Sequence, residues 1–243
     1  MIRKVIVFYA LTFLITLVLG GIQEAAVIPS ETLTLPQLAP GASALLMLIL
    51  FRKDGHVISF AVKVTPFSRY AMAVLIPLGG ALVAYLINAQ VLSSLSLSGT
   101  QAAPWTLLLW IPIGAIGEEL GWRGYLHKRI HRNLNGLLSS IVVGTLWALW
   151  HVGLYQNGSL YMLFFILLMV SYSLLIFALV HDIAFSVAIA AIFHVMINLT
   201  NLFSYSVINE ISFIATNSLA WAAVAGVVLV SRKHWFIRTA SNT

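Results

Sequence analysis

Seven consecutive residues, Gly117-Glu118-Glu119-Leu120-Gly121-Trp122-Arg123, place two carboxylates and a guanidinium at the inner end of an apolar run that opens near Trp105. A charged side chain inside a bilayer-spanning helix costs about 2.5–3.5 kcal/mol on insertion scales, so ionisable groups at such depth mark function by default. Helical spacing sets Glu119 and Arg123 four residues apart on one face, within reach of each other, and turns Glu118 about 100° away. One carboxylate is then held and the other is free for chemistry. An ion pair alone would do no more than lock two helices together. The second carboxylate and the polar groups downstream favour a site.

Those groups are few. Of the seven acidic residues only Glu118 and Glu119 fall within or at the end of an apolar run, and of the seven histidines only His151 and His194 do. His194 and Asn198 share a helical face and can both donate to one acceptor, which suits an oxyanion. A carboxylate beside a neutral imidazole can hold a water and take its proton. Together these are the parts for hydrolysing an amide bond without a covalent intermediate. Trp122, Trp147 and Trp150 beside them are expected as packing or pocket walls. The chain has no cysteine, which removes thiol nucleophiles, disulfides and cysteine metal sites. Glu118, His151 and His194 would be the ligands if zinc were bound, although the HExxH spacing of a zinc protease is absent. No cofactor is otherwise expected.

These residues need helices to carry them through a membrane. At 243 residues, 60% hydrophobic, 8% charged and mean hydropathy +0.98, the chain departs far from soluble domains, which carry about 25% charge. We expect one all-α integral membrane domain over 1–243, a polytopic bundle of about eight transmembrane helices with an intramembrane polar cavity. The runs are Val5 to Ile22, Leu38 to Phe51, Tyr70 to Val91, Trp105 to the Lys128-Arg129 end, Leu134 to Leu154, Leu160 to Val180, Ile183 to Phe203 and Ile211 to Val230. The second is short unless Leu33 to Pro36 contribute. The sixth, almost wholly apolar, is expected to face lipid or to serve packing. Gly20 and Gly21 offer only a weak cleavage site, so the first run reads as an uncleaved helix rather than a signal peptide.

All thirteen Lys and Arg residues except Arg123 fall to one side of these runs. The net charge of +6 therefore reports orientation and contact with anionic lipid heads, not nucleic acid. Both termini are expected in the cytoplasm, and the serine-rich stretch Ser93 to Ala103 outside.

In order and in successive helices, Glu118-Glu119-x-x-x-Arg123, Trp147-x-x-x-His151 and His194-x-x-x-Asn198 resemble the motifs of the CPBP (Abi) family of intramembrane proteases, which includes the Ras-converting type II CAAX prenyl endopeptidases. The resemblance covers the core from Trp105 to Asn201; Trp147 stands where the family commonly has Phe. It implies an intramembrane endopeptidase of a bacterial cell membrane acting on a membrane-associated protein or peptide. Glu118 then corresponds to the general base, His151 to its partner in activating water, His194 and Asn198 to the oxyanion stabilisers, and Glu119 with Arg123 to the supporting pair. In straight helices Glu118 and His151 would lie at different depths, so tilt or a break near Pro112 and Gly114 is expected to bring them together. Three rivals stand beside this reading: a zinc metalloprotease, a proton-coupled transporter using Glu and His as relays, and a silent immunity or scaffold protein.

Overall fold

Within a bilayer no water is available to backbone N–H and C=O groups, so an apolar run must close its hydrogen bonds internally as a helix. Each expected run holds a helix in the computed structural model, which describes residues 2–29, 34–62, 65–94, 107–202 and 208–237, with backbone alone for 89–94. Among the described residues there is no strand. The elements are α1 (Ile2–Ala25), α2 (Ala39–Leu50), α3 (Phe67–Ser94), α4 (Leu107–Glu119), α5 (Lys128–His131), α6 (Gly136–Trp150), α7 (Ser159–Val180), α8 (Val187–Asn201), α9 (Ile211–Ser231) and α10 (Lys233–Ile237). Four of the helices, α1, α3, α7 and α9, are long and apolar enough to cross a membrane. A turn of 3₁₀ helix at Leu35–Leu38 extends the short α2, while Leu33 and most of the serine-rich loop lie outside the described residues. The chain is thus a polytopic helical membrane bundle.

Of the two roles open to the sixth run, α7 takes packing. It is buried without a break from Ser171 to Val180, with α6 and α9 against it on either side. The outer ring is formed by helices such as α1, where only Phe8, Thr12 and Gln23 are buried.

The expected break near Pro112 and Gly114 is not there. α4 passes through both residues as continuous helix, with Pro112 inside it. The departure comes directly after the two glutamates, where Leu120–His127 winds as π-helix before α5 resumes. Such widened turns cluster at functional sites. Glycines let α2 press onto this stretch. A Cβ on Gly121 would lie 2.4 Å from Pro40 Cβ, and one on Gly41 would lie 2.7 Å from the Gly117 carbonyl oxygen.

A second correction concerns His151, expected inside the fifth helix. α6 ends at Trp150; His151 (φ −76°, ψ 60°) has left helical geometry and leads into a 3₁₀ turn, Val152–Asn157. Its ring takes over the capping, with Nδ1 2.8 Å from the Trp147 carbonyl oxygen.

At the end of the bundle that carries the basic residues, Asp54 joins three segments. It accepts from Lys4 at 2.5 Å and from Arg129 at 3.0 Å, and the cations hold its carboxyl below the usual range, Lys4 first. Beyond it the connection to α3 crosses beneath α5 and α8. His56 Nε2 donates to the Gly124 carbonyl at 3.0 Å, Lys128 Nζ to Val57 O at 2.8 Å, and the Val187 N–H to Ser59 O at 2.8 Å. Arg69 pairs with Asp182 at 2.5 Å and caps the end of α7 through the Ala178 carbonyl.

Candidate active site

Glu119 and Arg123 pair as the spacing requires. Arg123 Nη1 donates to Glu119 Oε1 at 2.7 Å, with both side chains wholly buried. The same oxygen accepts from His194 Nδ1 at 2.9 Å, so one carboxylate ties α4 and the π-helical stretch to α8. Removing two charges from water is costly, and only a well-placed partner with further hydrogen bonds offsets it. Glu119 has both.

Arg123 also lies over the Trp147 indole, its guanidinium carbon 4.2 Å from the ring centroid. A cation above a Trp face is attracted by about 2 kcal/mol or more once desolvated. The ring held in this way points its N–H at the other glutamate, and Trp147 Nε1 donates to Glu118 Oε2 at 2.7 Å. Trp147 thus grips the carboxylate that the ion pair leaves free. Of the two roles expected of it, packing or pocket wall, Trp122 takes packing, fully buried against Phe8, Tyr9 and Trp150, and neither Trp122 nor Trp147 is among the described residues lining the cavity beside Glu118.

Glu118 and His151 open on one cavity of about 630 Å³. The His151 Nδ1–H is spent on the Trp147 carbonyl, which leaves Nε2 as the ring's acceptor in the neutral form. The rest of the wall comes from a part of the chain without recognisable motif: Thr16, Gly20 and Glu24 of α1, and Thr34, Pro36 and Gln37 before α2. The sequence did hold a signal. Thr16, Gly20 and Glu24 recur every four residues, a polar and small stripe on an otherwise apolar helix. Trp150 lines the cavity too and donates to Thr16 Oγ1 at 2.8 Å, fastening α1 to the end of α6.

His194 and Asn198 are not among the described residues lining this cavity. His194, 4% exposed, stands behind Trp147 with ring centroids 5.2 Å apart. Asn198 follows one turn further along α8, half-buried. As to a metal, no group of three or more His, Asp or Glu side chains among the described residues is arranged to hold one. His194 Nδ1 and Glu118 Oε2 already have protein partners.

Of the two buried carboxylates, Glu118, held by an indole, faces the cavity, while Glu119, held by an arginine, is not among the described residues lining it. Residues 100–200 match the family model of the type II CAAX prenyl endopeptidases, described as Rce1-like. The matched segment holds all three motifs. The chain is 31% identical over 141 residues to CAAX prenyl protease 2 of Methanococcus maripaludis, covering 54% of this chain and 51% of that one. It is 25% identical over 157 residues to lysostaphin resistance protein A of Staphylococcus haemolyticus, covering 60% of this chain and 42% of the other. The chain spans about half the length of these curated relatives.

Proposed function

We propose that the protein is an intramembrane endopeptidase that cleaves a membrane-associated protein or peptide with water activated by Glu118 and His151. The observation that carries this reading is the shared cavity, onto which the free carboxylate and the imidazole acceptor both open.

Glu118, fixed through Oε2 by Trp147, takes a proton from a water that His151 Nε2 helps to orient. The hydroxide adds to the scissile carbonyl, whose oxygen becomes the oxyanion of a tetrahedral intermediate. His194, which gives Nδ1–H to Glu119 and as an imidazolium also offers Nε2–H, and the Asn198 amide are the donors proposed for that oxyanion, reached by substrate entering past Trp147. Collapse breaks the C–N bond, and the proton held by Glu118 passes to the departing amine. The motif resemblance and the match to the Rce1-like family support the assignment.

Glu118→Gln and His151→Ala should each abolish peptide cleavage while leaving a folded protein in the membrane. His194→Ala and Asn198→Ala should lower turnover by about 10²–10³. Full activity in Glu118→Gln with loss in Glu119→Gln would reverse the roles of the two carboxylates.

We also propose that the reaction needs no zinc. This rests on the placement of the side chains, since no three His, Asp or Glu groups among the described residues converge as a three-ligand zinc site requires. Purified active protein should contain far less than one zinc per chain by elemental analysis and should survive exhaustive chelation. Stoichiometric zinc whose removal stops turnover and whose return restores it would decide for the metalloprotease.

A further inference from the structure

The mouth of the cavity and the basic end of the molecule lie on opposite sides of the bundle. The mouth is framed by Gly20, Gly21 and Glu24 at the close of α1, by Thr34 and Pro36, and by Val152 to Leu154 beyond the end of α6. α1 opens at the other side with Arg3 and Lys4, and the chain that carries the glutamates finishes there at Lys128, Arg129 and Arg132. Arg52, Lys53, Arg69, Arg232 and Lys233 belong to that same side, as the contacts among Lys4, Asp54 and Arg129, between Arg69 and Asp182, and of Arg69 and Arg232 with the one Trp235 ring require. Lys and Arg are retained on the cytoplasmic face of membrane proteins.

Charge divides the two faces a second way. The acids of the basic face, Asp54 and Asp182, are both matched by cations. The last turn of α1 and the stretches that connect helices on the mouth side contain Glu24, Glu31 and Glu210 and not one Lys or Arg. Glu31 lies outside the described residues. Glu24 and Glu118 are the carboxylates among the described residues of the cavity wall, and Glu24, exposed at its rim, has no cation paired with it among the described residues. No Lys or Arg stands among the described residues of that wall to complement a free carboxylate at a substrate's C-terminus. A lysine or arginine side chain is complemented, in a setting where the lipid lowers the local dielectric and strengthens the attraction.

We propose that the cavity opens to the outer face of the membrane and accepts a cationic segment of a polypeptide lying there, with Glu24 at the mouth as the residue that selects positive charge. This rests on the proteolytic reading for what happens to the segment, but not for where it enters or what charge it carries.

The full chain has no cysteine of its own, so single cysteines report sidedness without turnover. A Cβ on Gly153 meets no atom within 4 Å, which makes Gly153→Cys a benign probe of the mouth, and Arg132→Cys, exposed, probes the opposite end. In intact spheroplasts a membrane-impermeant maleimide should label Cys at 153 directly and Cys at 132 only after permeabilisation. The reverse pattern overturns the outward opening. Charge selection is then read as protection of the 153 thiol by two amphipathic peptides that differ only in Lys for Glu. The Lys peptide should protect at a concentration at least fivefold lower, Glu24→Gln should remove the difference, and Glu24→Lys should invert it. Equal protection by both peptides, or a preference that survives Glu24→Gln, overturns the role of Glu24. Cleavage of the Lys peptide by wild-type protein that persists in Glu118→Gln would sink the proteolytic reading and leave the labelling results standing.

Discussion

The indole N–H of Trp147 sits where the resemblance leads to a Phe ring, which has no donor to offer. Trp147→Phe keeps a ring beneath Arg123 and removes only the bond to Glu118 Oε2. A hydrogen bond to a charged group contributes about 1.5–3 kcal/mol, and here it orients the carboxylate. Turnover should fall about tenfold with KM and melting temperature in detergent nearly unchanged; an equal loss of thermal stability would make the bond structural instead. Glu119→Ala belongs to the other kind. It strips the partner from a fully buried Arg123 and from His194, and breaking a buried pair in this way costs about 3–5 kcal/mol. The monodisperse fraction on size exclusion should collapse. The Glu119–Arg123 pair was legible because its partners are four residues apart on one helix. The grip of Trp147 on Glu118 was not, because 29 residues separate them in the chain and only the packing of α6 on the π-helical stretch brings them together.

At the scale of elements, apolar run length located the helices to within a few residues, because in a bilayer that length decides where the backbone can be satisfied. Departures from regular helix escaped it. The π-helical Leu120–His127 and the early end of α6 arise from how glycines let α2 approach and from a histidine ring capturing a carbonyl. Both are tertiary events. Gly121→Ala tests the first: its methyl would meet Pro40 at 2.4 Å, and overpacking costs about 1–3 kcal/mol. Melting in detergent should drop by several degrees, whereas Gly153→Ala, with open space around it, should not move. The strap that carries His56 has its own signature. Burial pushes the His56 imidazole down from 6.5 to about 4. Between those pH values the unfolded chain binds a proton that the folded chain refuses, so stability falls as pH is lowered through the window and levels off below it. His56→Gln, which can still donate to Gly124, should flatten the pH 6.5 to 4 slope of the melting temperature.

Across the whole molecule, the sequence fixes two poles, one basic and one acidic, while the depth of the cavity between them depends on the fold. The wall that α1 contributes lay beyond the reach of motif reading, since it belongs to the part of the chain with no family resemblance. The lengths of the helices carry a further consequence. α2 has 12 residues after a four-residue 3₁₀ turn that extends it, and α6 and α8 have 15 each, which at about 1.5 Å per α-helical and about 2 Å per 3₁₀ residue gives about 26 and 22 Å against a hydrocarbon layer of about 30 Å. α2 turns Leu45, Leu46, Ile49 and Leu50 outward, so the lipid beside it must meet a hydrophobic belt too short for it. Elastic mismatch of this kind is relieved by local compression of the bilayer, at fractions of a kcal/mol per Å. The surface would dimple on the flank nearest Gln37 and Glu118, and a polypeptide resting on that surface would be lowered towards them. Acyl-chain length thus becomes a control on the proposed cleavage: in vesicles of 14-carbon lipids turnover should exceed that in 22-carbon lipids, where compressing the thicker bilayer works against every productive encounter.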